Sequence, residues 1–173
     1  SIISYVFFNG KALTEKVGDL FDLFNELFSE YSFENSKRLI EIIRSAKADM
    51  EDSIVPSGNH YVQSRLQSYH SRLGKFDELT DGITYYRFLE GLLEQVEKDP
   101  QAVAHQFQKV AERIFTKQNI LFNVTCEEKD YPKIEKRLNS LYDLLSDGKS
   151  EVEKWDFKAV SENEGFLTAS NVQ

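Results

Sequence analysis

At 173 residues the chain is long enough for one domain with a true hydrophobic core and too short for two full ones. Its 13 phenylalanines, eight tyrosines and 40% hydrophobic content exclude a disordered chain. A formal charge of −8 with no lysine or arginine run argues against nucleic acid and against acidic membrane surfaces, both of which are bound through clustered cations.

In "IISYVFF", Ile3, Tyr5 and Phe7 alternate with Ile2, Val6 and Phe8 and stop at Asn9-Gly10, which predicts a strand covered on both faces. Val17, Leu20, Phe21, Phe24, Leu27 and Phe28 then recur at helical spacing from about Glu15 to Glu30. A second helix opens at Asn35-Ser36 and carries Leu39, Ile40, Ile43, Ala46 and Met50 on one stripe. Pro56-Ser57-Gly58-Asn59 should break or kink it.

The spacing of Tyr61, Val62, Leu66 and Tyr69 predicts a helix from His60 to about Arg72, followed by a short connection at Leu73-Gly74-Lys75. Another helix should run from Asp77 to Lys98 with Ile83, Tyr86, Leu89, Leu93 and Val96 inward. Asp99-Pro100 supplies a cap and a first-turn proline for a helix bearing Val103, Phe107, Val110 and Ile114. "NILFNVTC" alternates as a half-buried strand, and Asp130 with Pro132 opens a last helix with Ile134, Leu138, Leu141 and Leu145.

The expected class is α+β and helix-rich, with amphipathic helices packed on a short antiparallel sheet over residues 1–145. Residues 146–163 read as an acidic linker and 164–173 as a further strand, so the chain is expected to be a piece of something longer. Phe21, Phe24, Phe28, Ile43, Phe107 and Ile114 are the expected core.

The stretch from Ser57 to Gly91 concentrates histidines, arginines, tyrosines and carboxylates, the raw material of either a catalytic site or a polar packing surface. A zinc peptidase needs two imidazoles one helical turn apart. His60 and His70 are ten residues apart, about 15 Å by helical rise, and nothing in the spacing brings His105 or Cys126 to either.

No G-x-S-x-G elbow or Gly-rich phosphate loop occurs. Cys126, in an apparent strand without a histidine nearby in sequence, reads as inert and packed, and as the single cysteine it suits a reducing compartment, the preferred reading, or a secreted protein that relies on packing alone. Asp77-Glu78 and Glu51-Asp52 are adjacent and diverge on a helix surface. Gly82 and Gly91, inside a helical pattern, suggest close helix contact, and Tyr85-Tyr86-Phe88 suggests core.

No segment approaches the roughly 20 apolar residues of a membrane span, and this sequence does not begin with a basic stretch followed by an apolar one, so a soluble chain is expected.

In combination the same stretch is more specific. "SGNHYVQSRLQSYHS" followed by "DELTDGITYYRFLEGL" resembles a segment of the insulinase/pitrilysin-type zinc peptidases, in the presequence-protease branch. The matching positions are Ser57, Gly58, His60, Val62, Arg65, Gly82, Ile83, Tyr85, Phe88 and Leu89. "FFNGKALTEKVGDLFDLFNELF", "IFTKQNILFNVT" and "EGFLTASNVQ" extend the likeness over most of the chain.

The resemblance implies the third of four similar domains, with 164–173 beginning the fourth, in the half of a clam-shell enzyme that closes over unfolded or targeting peptides. Zinc would be bound by an HxxEH-type motif in another domain. No catalytic, cofactor-binding or metal-binding residue carries over to this chain, which is expected to be inactive alone.

The implied partners are the remaining domains of the parent peptidase and peptide substrates, in the cytoplasm or, in a eukaryote, an organelle matrix. His60 and Arg65 read as hydrogen-bonding to backbone or to Asp77 or Glu78, with contact to substrate as the alternative. The alternative function is a helical adaptor or scaffold domain that binds a protein partner through an exposed apolar surface.

Overall fold

The structure is a computed structural model that describes residues 4–148 and 163–166. Among these, seven α-helices follow one another: α1 (Val17–Ser29), α2 (Ser36–Ile54), α3 (Gly58–Ser68), α4 (Arg72–Asp81), α5 (Ile83–Lys98), α6 (Pro100–Ile114) and α7 (Tyr131–Asp143). They fall into two compact units. The described part of the first is 34–104 with 163–166, and that of the second is 4–33 with 105–148.

In the first unit, Asn35 caps α2 by accepting the Arg38 amide at 3.0 Å. α2 packs antiparallel to α5, with Arg44 paired to Glu97 at 2.7 Å and the Tyr86 hydroxyl donating to Glu51 at 3.4 Å further along. Met50, Ile54, Tyr61, Ile83, Tyr86 and Leu89 form a buried cluster between these helices and α3.

α3 lies against α4. Ser71 caps α4 by accepting the Gly74 amide at 2.9 Å. A Cβ at Gly74 would stand 2.5 Å from the Gln67 carbonyl oxygen, so only glycine lets the two backbones approach this closely.

In the second unit, α1 and α7 enclose Phe21, Phe28, Ile134, Leu141 and Leu145, flanked by Phe24, Phe115, Ile120 and Phe122. The Phe28 ring meets Phe115 edge-on at 5.1 Å and Phe8 at 5.6 Å.

The expected antiparallel sheet is not there: the described residues contain no strand, only an isolated parallel bridge between Thr116 and Ser146. The alternation in "NILFNVTC" does orient side chains. Ile120 and Phe122 turn to the core while Leu121 is 77% exposed. Alternation predicts an extended chain, however, and a strand also needs a backbone partner. Here the extended segments are held by side chains instead, as Phe8 is by Phe28 and Phe115.

Tyr5, Val6 and Phe7 are exposed, which also corrects the expectation of a strand covered on both faces. Residues 149–162 of the expected linker and 167–173 of the expected last strand lie outside the described residues.

Other boundaries shift for local reasons. Leu73-Gly74-Lys75, read as a connection, belongs to α4 because Ser71 caps it. The helix expected from Asp77 to Lys98 is two helices, since Gly82 adopts extended φ −97° and ψ −170°. Of the six expected core residues, Phe21, Phe28 and Ile43 are buried, whereas Phe24, Phe107 and Ile114 are half-buried.

α3 follows the expected pattern only in part. It buries Tyr61 as expected and half-buries Tyr69, but it also buries Ser64 and Ser68 and leaves Val62 and Leu66 61% and 55% exposed.

Candidate functional site

α5 starts at a residue without a side chain to cap it, Gly82. Glu78, near the end of α4, supplies the cap instead, its Oε1 accepting the Thr84 amide at 3.0 Å and the Thr84 hydroxyl at 3.0 Å. The carboxylate is fully buried. It is balanced by Arg65 of α3, whose Nη1 lies 3.2 Å from Oε1, and by the positive end of α5. Ser64 adds a weaker contact to Oε2 at 3.5 Å.

Gly82 is the residue that makes room. A Cβ there would sit 2.1 Å from Glu78 Oε2 and 2.8 Å from the Glu78 Cα. Gly82→Ala is therefore expected to destabilise the chain by about 1–3 kcal/mol in denaturant melts, the usual range for overpacking. A loss below about 0.5 kcal/mol would show that the carboxylate can move aside freely.

The other edge of the Arg65 guanidinium faces Glu164, with Nη2 3.1 Å from Oε2 and Nε paired to Oε1. The Tyr69 hydroxyl, one turn along α3, donates to the same carboxylate, and the Tyr69 ring lies under the guanidinium at 5.4 Å.

The hydrogen bonds from Arg65 and then Tyr69 hold the Glu164 carboxyl down to about 2 from its ordinary 4.5. Its folded value is depressed, so its stabilisation is present above pH 4.5 and is lost as pH falls toward 2. The Glu164 carboxylate in turn raises the pKa of Tyr69 and of Arg65. Two residues on, the Phe166 ring meets Tyr86 edge-on at 5.9 Å, with the Arg87 guanidinium over it at 5.9 Å.

Of the residues that the sequence singled out, Arg65 is thus central, and Glu78 rather than Asp77 is its partner. His60 is exposed, with its ring beside Tyr61 at 5.8 Å. Gly58 is not needed for the turn after Pro56: its φ is not positive, and a Cβ would meet nothing within 4 Å. Gly91 likewise mediates no close helix contact.

Leu89 is core and Tyr85 half-buried, but Phe88 is 58% exposed and stacks on Tyr85. Cys126 is exposed, not packed. His70 and His105 are exposed as well, and among the described residues no three His, Cys, Asp or Glu side chains converge as a metal site would require.

Beside the network lies an open cleft of about 450 Å³ lined by Leu66, Gln67, His70, Ser71, Leu73, Gly74 and Asp77. Its walls are mainly apolar and bring no nucleophile to a base.

Sequence reasoning missed Thr84 and Glu164. Thr84 had no clear signal, since the sequence places Gly82 inside a helical pattern and only the structure shows a helix starting there. Glu164 had none, being 99 positions from Arg65.

The sequence model of the family described as peptidase M16 (subfamily C) associated matches residues 1–92, a span that holds Arg65, Glu78, Gly82 and Thr84. The chain is 28% identical over 169 residues to "Protein HypA" of Clostridium perfringens, covering 98% of this chain and 17% of that protein. It is 24% identical over 170 residues to "Presequence protease 1, chloroplastic/mitochondrial" of Arabidopsis thaliana, covering 98% and 16%. With "Presequence protease, mitochondrial" of Yarrowia lipolytica the identity is 29% over 119 residues, covering 68% and 12%. The chain spans about a sixth of the length of the first two relatives.

Proposed function

The chain belongs to the peptidase M16 (subfamily C) associated family, and on that premise we propose that it is a non-catalytic module of a zinc-dependent metalloendopeptidase that degrades unfolded or targeting peptides inside a closed chamber. The observation that carries this reading is the direction of the polar residues. Arg65, Glu78 and Thr84 spend their hydrogen bonds on the start of α5 and on Glu164, which organises a fold rather than a reaction.

The names of two relatives, presequence proteases, support the substrate class. The acidic balance of the chain suits basic peptides, which a surface of opposite sign attracts. In this reading the partners are the other domains of the parent enzyme, and the location is the cytoplasm or an organelle matrix. Among the described residues no helix is long and apolar enough to cross a membrane.

Among the described residues the His, Cys, Asp and Glu side chains do not converge as a metal site would require, and the zinc of the proposed parent would be held by another of its parts. The purified chain is expected to bind no stoichiometric zinc through protein ligands and to leave a basic presequence peptide uncleaved, while the parent reading frame carries an HxxEH motif upstream. Chelator-sensitive cleavage by the chain alone, or a parent without that motif, would sink the proposal.

One observation favours the second reading, an adaptor domain: Val62, Leu66 and Leu73 expose an apolar stripe along α3 and α4. A parent without the zinc motif would leave that reading ahead.

A further inference from the structure

Arg65 presents a prepared edge. Its Nη1 is committed to Glu78 and to the Thr84 hydroxyl, and the Tyr69 ring lies beneath the guanidinium, which fixes the plane of the fork. The remaining edge, Nε with Nη2, is the face that takes a carboxylate through two parallel bonds.

A second subsite lies next to it, where the buried Tyr86 ring and the Arg87 guanidinium hold an aromatic ring between an edge contact and a cation. Each subsite carries one guanidinium, Arg65 at the carboxylate and Arg87 over the ring.

We propose that Arg65, Tyr69, Tyr86 and Arg87 form a peptide seat for a glutamate followed two residues later by an aromatic ring, which Glu164-Gly165-Phe166 fills in cis. Nothing in the geometry restricts the middle residue, because a Cβ at Gly165 would meet nothing within 4 Å. The seat recognises Glu-x-aromatic, and its occupant here fixes where residues 163–166 lie on the first unit. The inference stands apart from the peptidase reading, since it needs no activity and no other domain.

A tethered segment competes at an effective concentration on the order of millimolar, so a free peptide meets an occupied seat in the intact chain. The test therefore uses the full chain carrying Glu164→Gln and Phe166→Ala, which empties the seat without touching a buried residue. The probe is the blocked tetrapeptide Asn-Glu-Gly-Phe, followed by shifts of the Tyr69, Thr84 and Tyr86 amides.

Saturable binding is expected in the emptied chain, at least about tenfold weaker in the intact one. A Gln-for-Glu peptide should bind about tenfold more weakly, having lost a charge-assisted pair. Adding Arg65→Lys to the emptied chain keeps a cation opposite Glu78, so the fold is retained, yet removes the fork, and affinity should again fall about tenfold. No binding to the emptied chain, equal binding to the intact one, or indifference to the glutamate or to Arg65→Lys would overturn the proposal.

Discussion

Replacing Arg65 by alanine is expected to destabilise the chain by about 3–5 kcal/mol, the range found when one partner of a buried ion pair is removed. The reason is the state of what remains. Glu78 is fully buried, and without Arg65 its charge is compensated only by Thr84, by the weak Ser64 contact and by the end of α5.

Exposure decides the size of the effect. Lys16–Asp19 is as short, at 3.1 Å, but both side chains are about two-thirds exposed or more, and losing such a pair costs at most about 1 kcal/mol. Urea melts of Arg65→Ala, Glu78→Gln and the double variant measure the coupling directly. The double variant should recover part of the loss, because a neutral amide is easier to leave buried than a charge. A loss below about 1 kcal/mol for Arg65→Ala would mean that water reaches Glu78 on its own.

Phe28→Ala should be comparable, at about 3–5 kcal/mol, because it empties a site surrounded by aromatic rings. Phe28 touches Phe8, Phe24 and Phe115 and belongs to the buried cluster between α1 and α7. Phe107→Ala is the internal comparison. Its half-buried ring stacks on Phe33 at 5.6 Å and removes less area from water, so the loss should be clearly smaller. Equal losses in thermal or denaturant melts would show that burial does not rank these two sites.

The elements that were legible in sequence have an apolar stripe and a local stop signal on the same segment. α2 has Asn35 before it and Leu39, Ile43 and Met50 along it, and α6 has Asp99, whose carboxylate accepts the Ala102 amide at 3.0 Å. The region from Gly58 to Lys98 was harder because its punctuation depends on tertiary partners. Gly82 ends one helix and begins the next only because Glu78 folds over it.

The sheet failed for a related reason: period-two alternation is a property of one segment, whereas a ladder belongs to two. At the site, the local pair of Arg65 with Glu78 could be narrowed to two carboxylates from sequence. Glu164 could not be found, because no rule of spacing connects residues so far apart in the chain.

For α3 the orientation of its faces reverses the usual rule for tolerating substitution. Ser64 and Ser68 face inward, where α4 approaches closely enough for Gly74 to leave no room for a Cβ, and each hydroxyl has a partner, the Glu78 carboxylate at 3.5 Å for Ser64 and the Arg65 carbonyl at 2.7 Å for Ser68, so these positions select for small size and a hydroxyl together. Alanine fits the space but gives up a hydrogen bond, while a leucine, better by any hydrophobicity scale, would pry the two helices apart. The apolar Val62 and Leu66, pointing away, are the positions at which charge can be introduced to raise solubility without disturbing the interior.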